Sequence, residues 1–171
     1  MAIKIKLLEA RDIPLITRAF VNTVWNVQES FFEQYLAEQE RGVRVILLAS
    51  LERDFTGFVT IKWRSDYPPF IEKEIPEIND LRVIPDFRRR GIATALVDEA
   101  EKRIYAWHNI SGIGVGLYAD YGAAQRMYIL RGYVPDGLGI SYKGEIVKPG
   151  KEVPVDDDLI LYLTKERGKE F

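Results

Sequence analysis

A chain of 171 residues, 47% hydrophobic and 29% charged, has the composition of an ordinary globular protein and enough apolar side chains for one sizeable core. Its formal net charge of -2 argues against a nucleic-acid binder, whose footprint is an excess of basic charge. Cysteine is absent, which excludes disulfides, thiolate metal ligands and a cysteine nucleophile. A single domain over residues 1–171 is expected.

Met1 to Ile5 begins a strand, in which Ile3, Ile5 and Leu7 alternate with lysines. It carries no basic leader with an apolar core of signal-peptide length, and no apolar run approaches membrane-spanning length. A cytoplasmic location, with no membrane partner, is therefore expected. Asp12 offers an N-cap, and Ile13, Ile16, Ala19, Phe20 and Val24 form the apolar face of a helix reaching about Thr23. Pro14 is tolerated in its first turn. A second helix runs from Ser30 to Glu40 with Phe31, Tyr35 and Leu36 inward, and Gly42 ends it. Val43 to Leu51 and Phe55 to Trp63, joined by Glu52-Arg53-Asp54, predict an antiparallel hairpin with a bulge near Gly57. Ser65 to Glu74 is broken by Pro68 and Pro69 and is expected to be irregular. Its aromatic and acidic content suits a substrate-facing loop, although most such loops only connect.

Residues 80 to 98 read as a strand that passes through a basic turn straight into a helix. Ile78, Leu81 and Val83 are spaced by three and then by two, which predicts a β-bulge near Asn79-Asp80. Pro85-Asp86 ends the strand, and Ile92, Leu96, Val97, Ala100 and Ile104 recur at helical spacing to about His108. A helix begins with backbone N–H groups that lack carbonyl partners, and its dipole adds partial positive charge there. Gly91 lets a ligand approach the main chain, Ala93 keeps the next turn nearly bare, and Thr94 adds a hydroxyl. Arg88, Arg89 and Arg90 supply three charges able to grip phosphate in forked geometry. The expected guest is a pyrophosphate.

Beyond this helix, Ile113, Val115 and Leu117 alternate with Gly112, Gly114 and Gly116, so one face of the strand is nearly bare and open to close approach. The long crossover predicts a parallel pairing and an α/β sheet. Tyr121 to Arg131 is the next helix, with Ala123, Ala124, Met127 and Leu130 apolar and Gly132 stopping it. A turn through Pro135-Asp136-Gly137-Leu138-Gly139, a short run ending at Tyr142 and a last strand from Asp158 to Leu163 suggest a long hairpin. Asp156-Asp157-Asp158 reads as its solvated entrance. The single His108 suits a helix end better than catalysis, and no metal-ligand cluster is seen. A triphosphatase is excluded, because no Gly-Lys-Ser/Thr follows the glycine.

The run Arg88-Arg89-Arg90-Gly91-Ile92-Ala93 resembles the Arg/Gln-x-x-Gly-x-Gly/Ala signature of the GCN5-related N-acetyltransferases (GNAT). Ala124-Gln125-Arg126-Met127-Tyr128-Ile129-Leu130-Arg131-Gly132-Tyr133 is similar to their second block, Ala-x-x-Leu-Tyr-x-x-x-Gly-Phe/Tyr. The resemblance implies a mixed α/β (α+β) fold, with a partly splayed central sheet of six to seven strands flanked by about four helices. It implies an acetyl-CoA-dependent N-acetyltransferase, with acetyl-CoA as acyl donor, no metal, and cofactor contacts at Leu81, Arg82, Val83, Arg88, Arg89, Arg90, Gly91, Ile92, Ala93 and Thr94. The Leu81 N–H would polarise the thioester carbonyl. Where the family often has an asparagine contacting the cofactor, this chain has Tyr121, which is expected at that cofactor-binding position.

An alkylamine is largely protonated near neutrality, so a base is needed. Glu77 matches a glutamate base of some members, acting directly or through water, with Asp80 as its competitor. Tyr128 would donate to the departing thiolate. Without cysteine, direct attack in a ternary complex is the expected order. Glu72, Glu74, Glu77 and Asp80 could form an acidic approach for a small-molecule or peptide amine, and many relatives pair as homodimers. The other reading is a non-catalytic acyl-CoA-binding sensor or interaction module of the same fold.

Overall fold

A computed structural model describes residues 2–168, so Met1 lies outside them. In chain order the elements are β1 (Ile3–Leu7), α1 (Ile13–Phe20), α2 (Glu29–Glu40), β2 (Arg44–Leu51), β3 (Asp54–Lys62), α3 (Pro68–Glu72), β4 (Glu77–Val83), α4 (Ile92–Tyr105), β5 (Ile110–Gly116), α5 (Gly122–Leu130), β6 (Val134–Tyr142), β7 (Glu145–Ile146) and β8 (Leu159–Glu166). The chain is mixed α/β, as expected. Among the described residues, eight strands and five helices exceed the expected six to seven and four, and two short elements account for much of the excess: β7, of two residues, and α3, of five. Helix α3 corrects the expectation of an irregular stretch. Its prolines fall in the first turn, where a missing N–H costs nothing and the fixed φ suits a helix. No described helix is long and apolar enough to cross a membrane.

The chain divides into two compact units, one of residues up to 63 together with 78–103, the other of residues 64–77 together with 104 onward. In the first, β1 pairs antiparallel with β2, Ile5 facing Ala49, and β2 pairs antiparallel with β3, Leu47 facing Val59. The register of that hairpin shifts between Ala49 and Ser50, opposite Gly57 and Phe55, which places the expected bulge at Thr56. Thr56 Oγ donates back to the Ala49 carbonyl at 3.1 Å. Strand β4 lies next to β3. A Cβ on Gly57 would sit 2.4 Å from the Arg82 carbonyl oxygen, so glycine is what lets the two backbones close up.

Both faces of β2 are covered: Ile46 and Leu48 pack among Ile13, Ile16, Phe20, Phe32 and Phe58, while Leu47 and Ala49 are buried on the opposite side. Phe20 is the hub of the first cluster, edge-on to Trp25, Phe55 and Phe58 and stacked on Phe32, with centroids 5.7 to 6.2 Å apart. Helix α1 stops at Phe20, three residues before the expected end. Asp12 makes no side-chain cap to it; its carboxylate instead accepts the Glu9 N–H at 2.9 Å and closes a preceding 3-10 turn. In α2 the buried face is Phe32 and Tyr35, with Phe31 only half-buried. Two adjacent phenylalanines left the sequence pattern without a way to choose between them.

In the second unit β5 pairs antiparallel with β8, and β8 with β6, which carries β7 at its other edge. The Pro135–Gly139 stretch, expected as a turn, lies inside β6. Its register with β8 breaks between Pro135 and Ile140, and Gly137 and Gly139 take φ of 87° and 81°. The bare face of β5 is filled by rings from elsewhere. A Cβ on Gly112 would meet Phe70 at 2.2 Å, one on Gly114 would meet Ile160 at 2.9 Å and Tyr162 at 3.0 Å, and one on Gly116 would meet Tyr121 at 2.4 Å. Helix α5 buries only Tyr128, and Leu130, expected inside, is 82% exposed. Apolar residues run round this short helix, so their spacing could not select the buried side.

Candidate functional site

The first unit builds an anion cradle at the entry to α4. Pro85–Phe87 forms a single 3-10 turn after β4, and Arg89 and Gly91, with φ of 58° and 79°, swing the chain into the helix. Its first bond runs from the Ala95 N–H to the Gly91 carbonyl at 2.9 Å. The space at Gly91 is open, the nearest atom to an added Cβ being Ile3 Cδ1 at 3.9 Å. No acidic side chain occupies the first turn of α4. Arg88, Arg89 and Arg90 are exposed, and none is paired with a carboxylate among the described residues. Arg88 rests 5.7 Å over the Trp25 ring and Arg90 5.4 Å over Phe87, so their charges are propped beside the helix end. Ile92 is buried in the core, whereas Ala93 is half-buried and Thr94 exposed. The cradle has room, fixed cations and unpartnered helix N–H groups, and these features fit a pyrophosphate.

Midway along β4 the backbone leaves the extended region at Asp80, φ 50°, where the spacing of apolar residues calls for an extra residue. Leu81 and Val83 are half-buried. The Asp80 carboxylate accepts from Tyr35 Oη at 2.9 Å and from Arg82 Nε at 2.6 Å, which commits it to structural bonds. Burial, reinforced by Asp80, pushes the Tyr35 phenol well above its usual range.

The second unit carries the other expected groups. Glu77 is 5% exposed, and Ser65 Oγ donates to its carboxylate; Ser65 Oγ in turn accepts the Tyr67 N–H at 3.0 Å. Tyr67 donates to Asp136 at 2.9 Å and stacks flat on Tyr162, with ring centroids 3.7 Å apart. Tyr128 is buried against Tyr133, 6.1 Å away at 62°. Burial pushes its phenol well above the usual tyrosine range, and the nearby Arg131 charge only partly offsets this. Tyr121 lies over Gly116 and donates to Asp157 at 2.8 Å; Tyr118 donates to the same oxygen. Sequence reasoning passed over Trp25, placed Ser65 only at the start of an irregular loop and read Asp157 as part of a solvated strand entrance. None belongs to a recognisable motif, and each reaches its partner only through the fold.

This arrangement belongs to a known class. The acetyltransferase (GNAT) family model matches residues 13–133, and the chain belongs to that family. No curated protein sequence matches it. Among solved structures, it is similar to the ribosomal-protein-alanine N-acetyltransferase of Brucella melitensis, with TM-score 0.66 and 20% identity, covering 95% of this chain and 99% of that one. An acetyl transferase of Salmonella typhimurium that modifies the N-terminal serine of a ribosomal subunit protein superposes with TM-score 0.71 at 9% identity, over 97% and 95% of the two chains. The yncA protein of Salmonella typhimurium, solved with its cofactor acetyl-CoA, gives TM-score 0.65 at 17% identity, over 97% and 94%. At these identities the likeness is one of fold.

Proposed function

We propose that this chain is an N-acetyltransferase that moves the acetyl group of acetyl-CoA to an amine by direct attack in a ternary complex. The observation that carries this reading is the cradle at Arg88–Thr94: three arginines without carboxylate partners among the described residues, an open Gly91 and an acid-free helix start. The yncA relative that carries acetyl-CoA supports the same guest. Both units are read as parts of one acetyltransferase domain, because the family match runs unbroken from 13 to 133.

In this reading Arg88, Arg89, Arg90 and the first N–H groups of α4, from Gly91 to Thr94, bind the pyrophosphate. The backbone of Leu81, Arg82 and Val83 holds the pantetheine arm, and the Leu81 N–H donates to the thioester carbonyl. Bound acetyl-CoA supplies an activated acetyl group and a thiolate leaving group. Glu77 takes the proton of the acceptor ammonium, directly or through water, and Ser65 orients its carboxylate. Asp80 is the weaker candidate for that role, since Tyr35 and Arg82 already occupy it. Tyr128 donates a proton to the leaving sulfur. Its buried phenol stays protonated through the neutral range, so it serves as a donor and not as a base. Tyr121 supports the cofactor side through its ring, its hydroxyl being held by Asp157.

The test is free-thiol release from acetyl-CoA by the purified protein, against polyamines, aminoglycosides, amino acids and short peptides, with an amine-free blank. Release above the blank with one class establishes the enzyme and names its acceptor. Tight acetyl-CoA binding without release from any class would instead support the acyl-CoA-binding module.

A further inference from the structure

Within the first unit a cleft of about 530 Å³ opens at the start of α2, lined by Trp25, Gln28, Phe31, Gln34 and Arg82 among others. Its size is that of a small-molecule site. Arg82 is its one charged lining residue, and the guanidinium is fixed from several sides. Nε donates to Asp80 at 2.6 Å, and the rings of Phe31, Trp25 and Phe58 surround the charge with centroids 5.4, 5.8 and 5.8 Å away. Asp80 is itself held by Tyr35. A guanidinium presents two forks to an oxyanion, one through Nε and one through the paired Nη atoms. Asp80 takes the Nε side and is the single hydrogen-bond partner of Arg82 among the described residues. The terminal fork is left for a ligand.

From this the geometry points to an acceptor that carries its own carboxylate beside the amine, an amino acid with an apolar side chain, seated with its carboxylate on the Arg82 fork and its side chain against Trp25 and Phe31. The inference rests on the acetyltransferase reading above and names its substrate class. Two physical consequences favour it. The amide groups of Gln28 and Gln34 can hydrogen-bond the amino group without adding a charge. A positive charge close to that amine also disfavours its ammonium form, so the nucleophile reaches the neutral state at lower cost. A polyamine or aminoglycoside would meet Arg82 with like charge.

The experiment uses the full chain and matched ligands. L-phenylalanine and L-methionine are compared with their amides and decarboxylated amines, first by calorimetric titration and then by thiol release from acetyl-CoA. The expected result is at least tenfold higher kcat/KM for the amino acids, carried by KM, and a collapse of that ratio towards one in Arg82→Gln. Should Arg82→Gln not fold, the wild-type ratio decides alone. Equal or better use of the amides and amines would overturn the carboxylate assignment while leaving the acetyltransferase reading intact. Amino acids that bind in an Arg82-dependent way without any thiol release would keep the pocket and remove the enzyme. Neither binding nor release of any amino acid overturns the pocket.

Discussion

Replacing Gly91 by Asp places one negative charge at the mouth of the anion cradle, and the structure allows its effect to be separated from damage to the fold. The space at Gly91 is open, with Ile3 Cδ1 at 3.9 Å as the nearest atom, so no clash is introduced. The positive φ of 79° strains any side chain, but Asn and Asp tolerate it best and nearly equally. Gly91→Asn therefore carries the same strain and size without the charge. A carboxylate about 5 Å from a phosphate charge costs roughly 0.8 kcal/mol in bulk water and about 3 kcal/mol at an effective dielectric of ~20. That range corresponds to about 4- to 150-fold in affinity. The assay is calorimetric titration of acetyl-CoA into both variants at two salt concentrations. The Asp variant should bind at least fourfold more weakly than the Asn variant, and the gap should narrow with salt. Thermal stability should move the other way, because an acid at a helix start favours the helix by ~0.3–1 kcal/mol. Equal affinity of the two variants would refute the placement of the pyrophosphate.

Tyr128→Phe should lower turnover about 10²-fold or more while leaving acetyl-CoA affinity within twofold; undiminished turnover removes the phenol from the chemistry. Because burial raises that phenol above its usual range, wild-type activity should show no tyrosine-dependent loss up to about pH 10, which a pH–rate profile checks. Gly112→Ala would drive a methyl to 2.2 Å from the Phe70 ring and should destabilise the protein by about 1–3 kcal/mol in denaturant melts. Burial opposes ionisation of Glu38, yet hydrogen bonds from Arg44 and Gln34 hold its carboxyl below the usual range. Its contribution to stability is thus present above the unfolded pKa and lost as pH falls through the folded one. Glu38→Gln should flatten that acid limb of the stability–pH curve.

Most of the α/β order was legible because each element announces itself locally. The β2–β3 hairpin follows from β-branched runs, α4 from helical spacing, and the cradle from a glycine and three arginines at a strand–helix junction. What escaped depended on packing. Phe31 and Phe32 are equally apolar, and only the pile of rings around Phe20 decides that Phe32 goes inside. The apolar residues of α5 encircle it, so Leu130 looked like core and lies outside. Pro68 and Pro69 looked like breakers and instead begin a helix turn. Asp80 and Glu77 are rivals on one strand with different surroundings: Tyr35 and Arg82 donate to the first and Ser65 to the second. Arg82 is a near neighbour of Asp80, but Tyr35 lies 45 residues from Asp80 and Ser65 lies 12 from Glu77, beyond the reach of any local pattern.

The rings laid over Gly112, Gly114 and Gly116 also bind the history of these positions together. A side chain at one glycine is admissible only where the ring above it has already shrunk, and a shrunken ring over a retained glycine leaves a void. Either single step passes through a less stable protein, so Phe70 with Gly112 and Tyr121 with Gly116 should change as pairs or not at all. Lineages that vary this strand are then expected to fall into discrete packing types, each with its own plate-and-gap arrangement, rather than along a continuum.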